Sequence, residues 1–271
     1  MPGSTIKVAS HQGGAFDCYL ALPPSAAKTP AVVLACAILG VDKDLRDIAD
    51  EFAANGYIAA APDLFWRSVP GPLPHEDPRA RERGQPRLPK IAAGEADMKD
   101  ALAHIRTLPQ FNGRAAAMGF CYGGPYAILG PKRLGYDAGL SCHGTQLLDY
   151  VGELDGVTAP VCIMWGDQDH VAPQPVLDAY RAVPQRMPNV EVHIFPGIQH
   201  GYTCRRPRRS TRRRARFRWR VPFQSWKACA TRPASRCARR RSSRHKKRWA
   251  RRSGGPRPRL RRIPVRRVDR H

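Results

Sequence analysis

The sequence lacks several features that mark particular classes of protein. No apolar run approaches the roughly 20 residues that a membrane-spanning helix requires. No Cys-x-x-Cys pair occurs and no two histidines are four residues apart, so the usual local patterns of a metal site are missing. The amino terminus has neither the basic nor the apolar segment of a signal peptide. We therefore expect a protein without a membrane span, a metal ion or another cofactor.

Acidic residues are almost missing from residues 204–271, which contain only Asp269 against 29 lysines and arginines. Only three of these cations are lysines, and the segment also holds three of the chain's five tryptophans and three of its eight cysteines. Residues 1–203 contain 17 basic and 21 acidic residues. A stretch rich in Arg, Pro, Ser and Trp, without periodicity, is what a GC-rich gene yields when it is read out of frame. We therefore predict a folded domain over residues 1–203 and a frameshifted or disordered tail over residues 204–271.

The alternative interpretation is that this tail is genuine. Dense arginine would neutralise phosphate groups and release counterions, and the tryptophans could stack on bases. Binding of that kind would be sensitive to salt and largely independent of base sequence. Nucleic acid is therefore an expected partner only if the tail is in the true reading frame.

Residues 1–203 alternate strand patterns with helix patterns. Ala31 to Cys36 has the composition of a buried strand, and residues 44–55 place their apolar side chains on one helical face. Residues 67–90 are rich in Pro, Arg and Gly and predict a long loop, after which a helix is predicted from Glu95 to Leu108. This alternation predicts an α/β fold with a mostly parallel central sheet and helices on both faces.

The most informative motif is Gly-Phe-Cys-Tyr-Gly-Gly at residues 119–124. It follows small apolar residues that predict a buried strand, and its glycines allow a helix to start close to the sheet. The pattern is a variant of the Gly-x-Ser-x-Gly turn, which exposes a nucleophile between a strand and a helix. Cys121 is therefore the candidate nucleophile, and the alternative is an ordinary buried cysteine.

Candidate acids and bases follow two later strand patterns. The first strand pattern is followed by Asp167 and Asp169, and the second is followed by His200. The order Cys121, Asp169, His200 is the order of nucleophile, acid and base in α/β-hydrolases. In this arrangement His200 would take the thiol proton, while Asp169 would orient the imidazole and stabilise its cation.

Other residues remain open for these roles. One of the two aspartates is expected to be a turn residue rather than the acid. His170 and His193 are alternatives to His200, although the position of His193 within a strand favours a structural role. His143 follows another strand, and a place in the pocket and a structural role are both open for it.

These motifs resemble those of the dienelactone hydrolase family, carboxymethylenebutenolidase-like enzymes with the α/β-hydrolase fold. The Gly-x-Cys-x-Gly-Gly turn, the Gly-Asp-x-Asp-His loop and the Gln-His-Gly-Tyr loop match at suitable spacing within the first domain. The resemblance implies that Cys121 is the nucleophile, Asp169 the acid and His200 the base. It also implies an oxyanion hole formed by the backbone N–H groups of Tyr122 and Ile38.

The chain departs from the family pattern at two positions. Ala37 stands where the best-studied members carry a glutamate that hydrogen-bonds the resting cysteine. Cys204 stands where they carry one of the two arginines that hold the substrate carboxylate, and Arg81 or Arg83 could supply the other. These departures affect the expected specificity for a dienelactone and leave the hydrolase chemistry untouched. We expect hydrolysis of small carboxylic esters or lactones through an acyl-enzyme.

The remaining expectations concern the setting of this chemistry. The cysteines of the first domain lie mostly in apolar strand patterns, which fits reduced thiols in a cytoplasm, and we expect a monomer. A third functional possibility is an inactive pseudo-hydrolase, because the tail begins just after His200, where the family closes its fold with a helix.

Overall fold

The computed structural model describes residues 2–203, so the predictions for residues 204–271, including the position of Cys204, lie outside the described residues. Eight strands occur in the described part: β1 (Ser4–Ala9), β2 (Ala15–Ala21), β3 (Thr29–Ala35), β4 (Ile58–Pro62), β5 (Phe111–Phe120), β6 (Ala138–Cys142), β7 (Val161–Gly166) and β8 (Val190–Phe195). They form one sheet in the order β1-β2-β4-β3-β5-β6-β7-β8. The pairs β1–β2 and β2–β4 are antiparallel and the others are parallel, which confirms the predicted mostly parallel α/β sheet.

Five α-helices connect these strands within residues 2–203: α1 (Lys43–Ala54), α2 (Arg79–Glu82), α3 (Arg87–Arg106), α4 (Gly124–Leu129) and α5 (Gln174–Arg186). Helix α1 confirms the helix predicted over residues 44–55. It begins after Asp42, whose side chain accepts the N–H of Leu45 at 3.0 Å, and it buries the apolar face seen in the sequence. None of the helices in this part of the chain has both the length and the hydropathy needed to cross a bilayer.

Helix α3 begins earlier than the sequence predicted. It starts at Arg87 rather than Glu95, and the segment interpreted as one long loop contains α2 and the first turns of α3. Pro89 favoured the loop interpretation, but it lies in the first turn of the helix. Backbone N–H groups in that turn have no partner within the helix, so a proline there costs little.

The parallel strands bring their carboxyl ends to one edge of the sheet, where open α/β sheets bind ligands. The loops that follow β3, β5, β6, β7 and β8 all lie at this edge. They carry Ile38, Cys121, His143, Asp169 and His200 respectively. The topology therefore gathers residues that are far apart in the sequence.

Candidate active site

Cys121 stands on a sharp turn between β5 and a short helical segment. It is the first residue after the strand, and its φ of 48° lies in the left-handed region that residues other than glycine rarely adopt. The N–H and the hydroxyl of Thr145 donate to its carbonyl at 2.9 and 3.3 Å and hold the turn. The side chain is only partly buried, so the sulfur can meet a ligand at the sheet edge.

The glycines of the motif are required because backbone segments approach each other closely around Cys121. A Cβ on Gly119 would lie 2.1 Å from the carbonyl oxygen of Gly123, and a Cβ on Gly123 would lie 2.4 Å from that of Ala35. These separations are shorter than any real Cβ contact, and the opposing atoms are backbone atoms that cannot rotate away. Glycine at both positions therefore lets β5 turn sharply into α4 beside β3.

His200 connects Cys121 to Asp169. Its Nε2 lies 3.2 Å from the sulfur of Cys121, and its Nδ1 lies 2.7 Å from Oδ2 of Asp169. The side chain of Asp169 is fully buried, and its Oδ1 accepts the N–H of Val171 at 2.9 Å. The structure thus brings together, in the predicted order, the carboxylate, imidazole and thiol selected from the sequence.

The surroundings of His200 favour its protonated form. Burial by itself lowers the pKa of this imidazole, but the hydrogen bonds and charges of Asp169 and Cys121 outweigh burial and raise the pKa to about 9. His200 therefore carries a proton at neutral pH. A cation beside the sulfur stabilises negative charge on it, and the thiolate is the form in which cysteine attacks.

The two aspartates after β7 have different contacts. Oδ1 of Asp167 accepts the N–H of Gly197 at 2.7 Å, and the N–H of Asp167 donates to the carbonyl of Phe195 at 3.0 Å. Asp167 therefore ties its loop to the end of β8, whereas Asp169 contacts the imidazole of His200. Position after the strand does not separate the two residues, but their contacts do, and Asp169 is the one that the motif resemblance selected.

His143 is the second histidine close to the sulfur. It is buried, its Nε2 lies 2.8 Å from the hydroxyl of Thr203, and its ring centroid is 4.8 Å from that of His200. Burial first, and then the charge of His200, hold the pKa of His143 well below its usual range, so the imidazole is neutral. One possible ligand atom from each of Cys121, His143 and His200 lies within 4.8 Å of the others.

The two histidines considered as alternatives to His200 lie outside the contacts with the sulfur. His170 is exposed, and its ring centroid is 5.7 Å from that of His200. His193 lies on β8, half-buried, with Nε2 3.5 Å from the carboxylate of Glu191. Neither histidine contributes to the cluster of ligand atoms around the sulfur.

Two arginines hold the backbone segments that were predicted to form the oxyanion hole. Arg83 donates from Nε and Nη2 to the carbonyl of Ile38, at 2.8 and 2.6 Å. Arg87 donates to the carbonyls of Tyr122 and Thr145, at 3.2 and 2.9 Å, and its guanidinium carbon lies 4.6 Å from the ring centroid of Tyr122. Both segments are thus anchored by charged donors, which make stronger hydrogen bonds than neutral ones.

The two arginines selected as substrate contacts lie in different surroundings. Arg81 is exposed on α2. Arg83 is 2% exposed, and it also donates to the carbonyls of Val69 and Gly71 at 3.0 and 2.7 Å. These contacts tie the loop after β3 to the segment that precedes α2.

Sequence reasoning assigned no role to Arg87, because it placed this residue in a long loop. The signal that could have found it is Pro89, because proline is common in the first turn of a helix and would place the start of α3 near Arg87. Thr145 and Thr203 left no signal of their own, because each acts only through a contact made by the folded chain.

Ala37, at the position of the family glutamate, is half-buried and its carbonyl accepts the N–H of Gly40 at 2.9 Å. A methyl side chain cannot hydrogen-bond a thiol. Among the described residues, the hydrogen-bond contact of the Cys121 sulfur is with His200. The resting cysteine is therefore held by the imidazole.

Known proteins of one family match most of this chain. The family model for the dienelactone hydrolase family matches residues 16–228. Carboxymethylenebutenolidase 1 of Cupriavidus pinatubonensis is 29% identical over 200 residues, which cover 73% of this chain and 85% of that protein. The carboxymethylenebutenolidase of Pseudomonas putida is 28% identical over 200 residues, covering 73% of this chain and 84% of its own length.

A solved structure shows the same fold. P91, a dienelactone hydrolase-like promiscuous phosphotriesterase from metagenomic libraries, superposes with a TM-score of 0.68 at 16% identity, covering 84% of this chain and 99% of its own. The sheet order, the turn at Cys121 and the match over most of the sequence lead to one conclusion. The chain belongs to the dienelactone hydrolase family of α/β-hydrolases, as its motifs predicted.

Proposed function

We propose that this protein hydrolyses small carboxylic esters or lactones, with Cys121 as nucleophile, His200 as general base and acid, and Asp169 as the residue that orients His200. The observation that carries the proposal is the unbroken series of contacts from sulfur to imidazole to buried carboxylate, at 3.2 and 2.7 Å. Membership of a family of hydrolases, with relatives named carboxymethylenebutenolidases, supports the reaction class.

The first half of the reaction forms a thioester. The thiolate of Cys121 attacks the carbonyl carbon, and the carbonyl electrons move onto oxygen to give a tetrahedral oxyanion. As the oxyanion collapses, the bond to the leaving oxygen breaks and the imidazolium of His200 gives that oxygen its proton. In a lactone the new alcohol stays attached to the acyl group, so the first product remains on the enzyme.

The second half uses the same imidazole in the opposite sense. Neutral His200 takes a proton from water as the water attacks the thioester, and the second oxyanion collapses with release of the carboxylic acid and the thiolate. Asp169 keeps Nδ1 of His200 protonated throughout, so that Nε2 is the atom that exchanges protons.

The backbone N–H groups of Ile38 and Tyr122 are our proposed donors to the oxyanion. Arg83 and Arg87 support this assignment, because they fix the carbonyls of these two residues at the edge where Cys121 stands. Donors that are held in place before reaction stabilise the developing charge without having to reorganise.

The substrate is proposed as a class. Arg81 is exposed, and the guanidinium of Arg83 is engaged with backbone carbonyls and does not point to a substrate carboxylate as its partner. We propose a small, weakly polar ester or lactone and a monomeric cytoplasmic enzyme. No contact among the described residues favours nucleic-acid binding over this function.

The test is turnover by the full chain carrying Cys121→Ala, measured with p-nitrophenyl acetate and with a small lactone. Loss of all turnover, with an unchanged melting temperature, is expected. The matched control is Cys18→Ala, which changes a buried thiol on β2 whose pKa burial raises to about 12, and it should keep full activity. Turnover that survives Cys121→Ala refutes the proposal. A wild-type chain that is folded but turns over neither substrate favours the pseudo-hydrolase.

A further inference from the structure

We propose that Cys121, His143 and His200 form a binding site for a borderline-soft transition-metal cation such as Zn²⁺, and that an occupied site blocks the nucleophile. The site includes two residues of the proposed catalytic relay, so the proposal extends the proposed function to its regulation. Metal binding can be measured without turnover, and the two proposals can therefore fail separately.

The donor set is one that zinc prefers. It consists of one sulfur and two imidazole nitrogens, contributed by the loops after β5, β6 and β8. The three ligand atoms lie within 4.8 Å of one another, and the sulfur is 3.2 Å from Nε2 of His200. In a tetrahedral zinc site, sulfur and nitrogen ligands stand about 3.3–3.6 Å apart. Side-chain movements of about 1 Å would bring the three atoms to that geometry.

The hydrogen bonds behind the two imidazoles leave the right nitrogens for a metal. Asp169 contacts Nδ1 of His200 and leaves Nε2 as the ligand atom. Thr203 contacts Nε2 of His143 and leaves Nδ1, which is buried without a hydrogen-bond partner among the described residues. Metal-binding histidines usually have their second nitrogen held in this way. A cation would give the buried Nδ1 the partner that residues 2–203 do not provide.

An occupied site would stop hydrolysis for a simple chemical reason. The metal would neutralise the charge of the Cys121 sulfur and occupy the approach to it, and it would use the one lone pair of Nε2 of His200. The sulfur would then be a poor nucleophile, and Nε2 could not move a proton. A chelator would reverse the effect, because no covalent bond of the protein is changed.

The test combines inhibition with a spectrum. Zn²⁺ is titrated into the full chain while ester hydrolysis is followed, and Co²⁺ is titrated separately to record the thiolate-to-cobalt charge-transfer band and the visible bands of tetrahedral cobalt. We expect inhibition that a chelator reverses, and a charge-transfer band that disappears in Cys121→Ser. That comparison also separates this site from any metal bound by residues 204–271.

His143 decides between a three-ligand site and simple binding to a cysteine–histidine pair. His143→Gln is expected to raise the inhibitory Zn²⁺ concentration at least about tenfold, relative to that variant's own metal-free activity, and to weaken the visible cobalt bands. The matched control is His170→Gln, which changes an exposed histidine near His200 and should leave both readouts unchanged.

Folding of the variant is checked by its melting curve. If His143→Gln does not fold, Thr203→Val removes the partner of Nε2 instead and is expected to weaken metal binding in the same direction. The proposal is overturned if a folded His143 or Thr203 variant binds both metals as tightly as the wild type. It is also overturned if the wild type shows no charge-transfer band.

Discussion

Asp169→Asn replaces one oxygen of a buried carboxylate by an NH2 group and removes the negative charge with almost no change in shape. The side chain of Asp169 is fully buried and lies 2.7 Å from Nδ1 of His200, so the amide occupies the same space. What changes is the electrostatic support of the imidazolium. Burial opposes that cation, while Asp169 and Cys121 together raise the pKa of His200 to about 9.

The magnitude of the effect depends on pH, and its sign can be worked out. His200 holds its proton below its pKa, so raising the pKa extends the range of the imidazolium upward, from pH 6.5 towards pH 9. If the substitution returns the pKa to about 6.5, the protonated fraction at pH 8 falls from roughly 90% to roughly 3%, about 30-fold. At pH 6 the same change is only about 1.3-fold.

The assay is the pH profile of kcat/KM for a small lactone, whose leaving alkoxide needs the proton of His200. The alkaline limb of the profile should move from near pH 9 towards pH 6.5 in Asp169→Asn, on top of any loss of orientation that is independent of pH. A p-nitrophenyl ester, whose leaving group needs no proton, should show a smaller shift.

The matched control for this prediction is Asp167→Asn. Asp167 follows the same strand but accepts the N–H of Gly197, so its replacement should leave the alkaline limb in place. The reasoning is refuted if Asp169→Asn keeps its alkaline limb near pH 9, or if both variants shift it equally.

Two further predictions concern the turn at Gly123 and the loop that carries Ile38, and a third concerns the reading frame of residues 204–271. Gly123→Ala should lower the free energy of unfolding by about 1–3 kcal/mol, because its Cβ would meet the carbonyl of Ala35 at 2.4 Å. Gly152→Ala has open space around its Cβ and serves as the neutral control, and equal urea midpoints for the two variants would contradict the packing argument. Arg83→Met should lower kcat by up to about a hundredfold with a smaller change in KM, since it frees the loop that carries Ile38. Partial recovery in Arg83→Lys would support an effect on positioning, whereas a change in KM alone would indicate a substrate contact. Finally, sequencing of codons 195–271 should show that another reading frame encodes an amphipathic helix directly after Tyr202. If the written frame is confirmed and the full-length protein is made, the frameshift is disproved and nucleic-acid binding is the next property to measure.

Local patterns in the sequence were sufficient for the fold class and for the turn at Cys121. Alternating strand and helix patterns predicted a mostly parallel sheet, because each pattern reports which faces of an element are buried. The motif at residues 119–124 predicted an exposed nucleophile, because its glycines are needed for a sharp turn between a strand and a helix. That turn depends only on residues close together in the sequence. The predicted start of α3 was wrong, because Pro89 is compatible with both a loop and the first turn of a helix.

Only the tertiary structure decided which of the candidate side chains meet. Asp167 and Asp169 both follow β7, and the motif resemblance selected Asp169. The path of the loop brings the carboxylate of Asp169 to His200, whereas Asp167 accepts the N–H of Gly197. The proximity of His143 to the sulfur, and the anchoring of Ile38 by Arg83, likewise depend on loops that are distant in the chain. Periodicity and motif spacing describe what a segment does by itself, whereas these contacts arise only when the parallel strands bring their carboxyl ends to one edge.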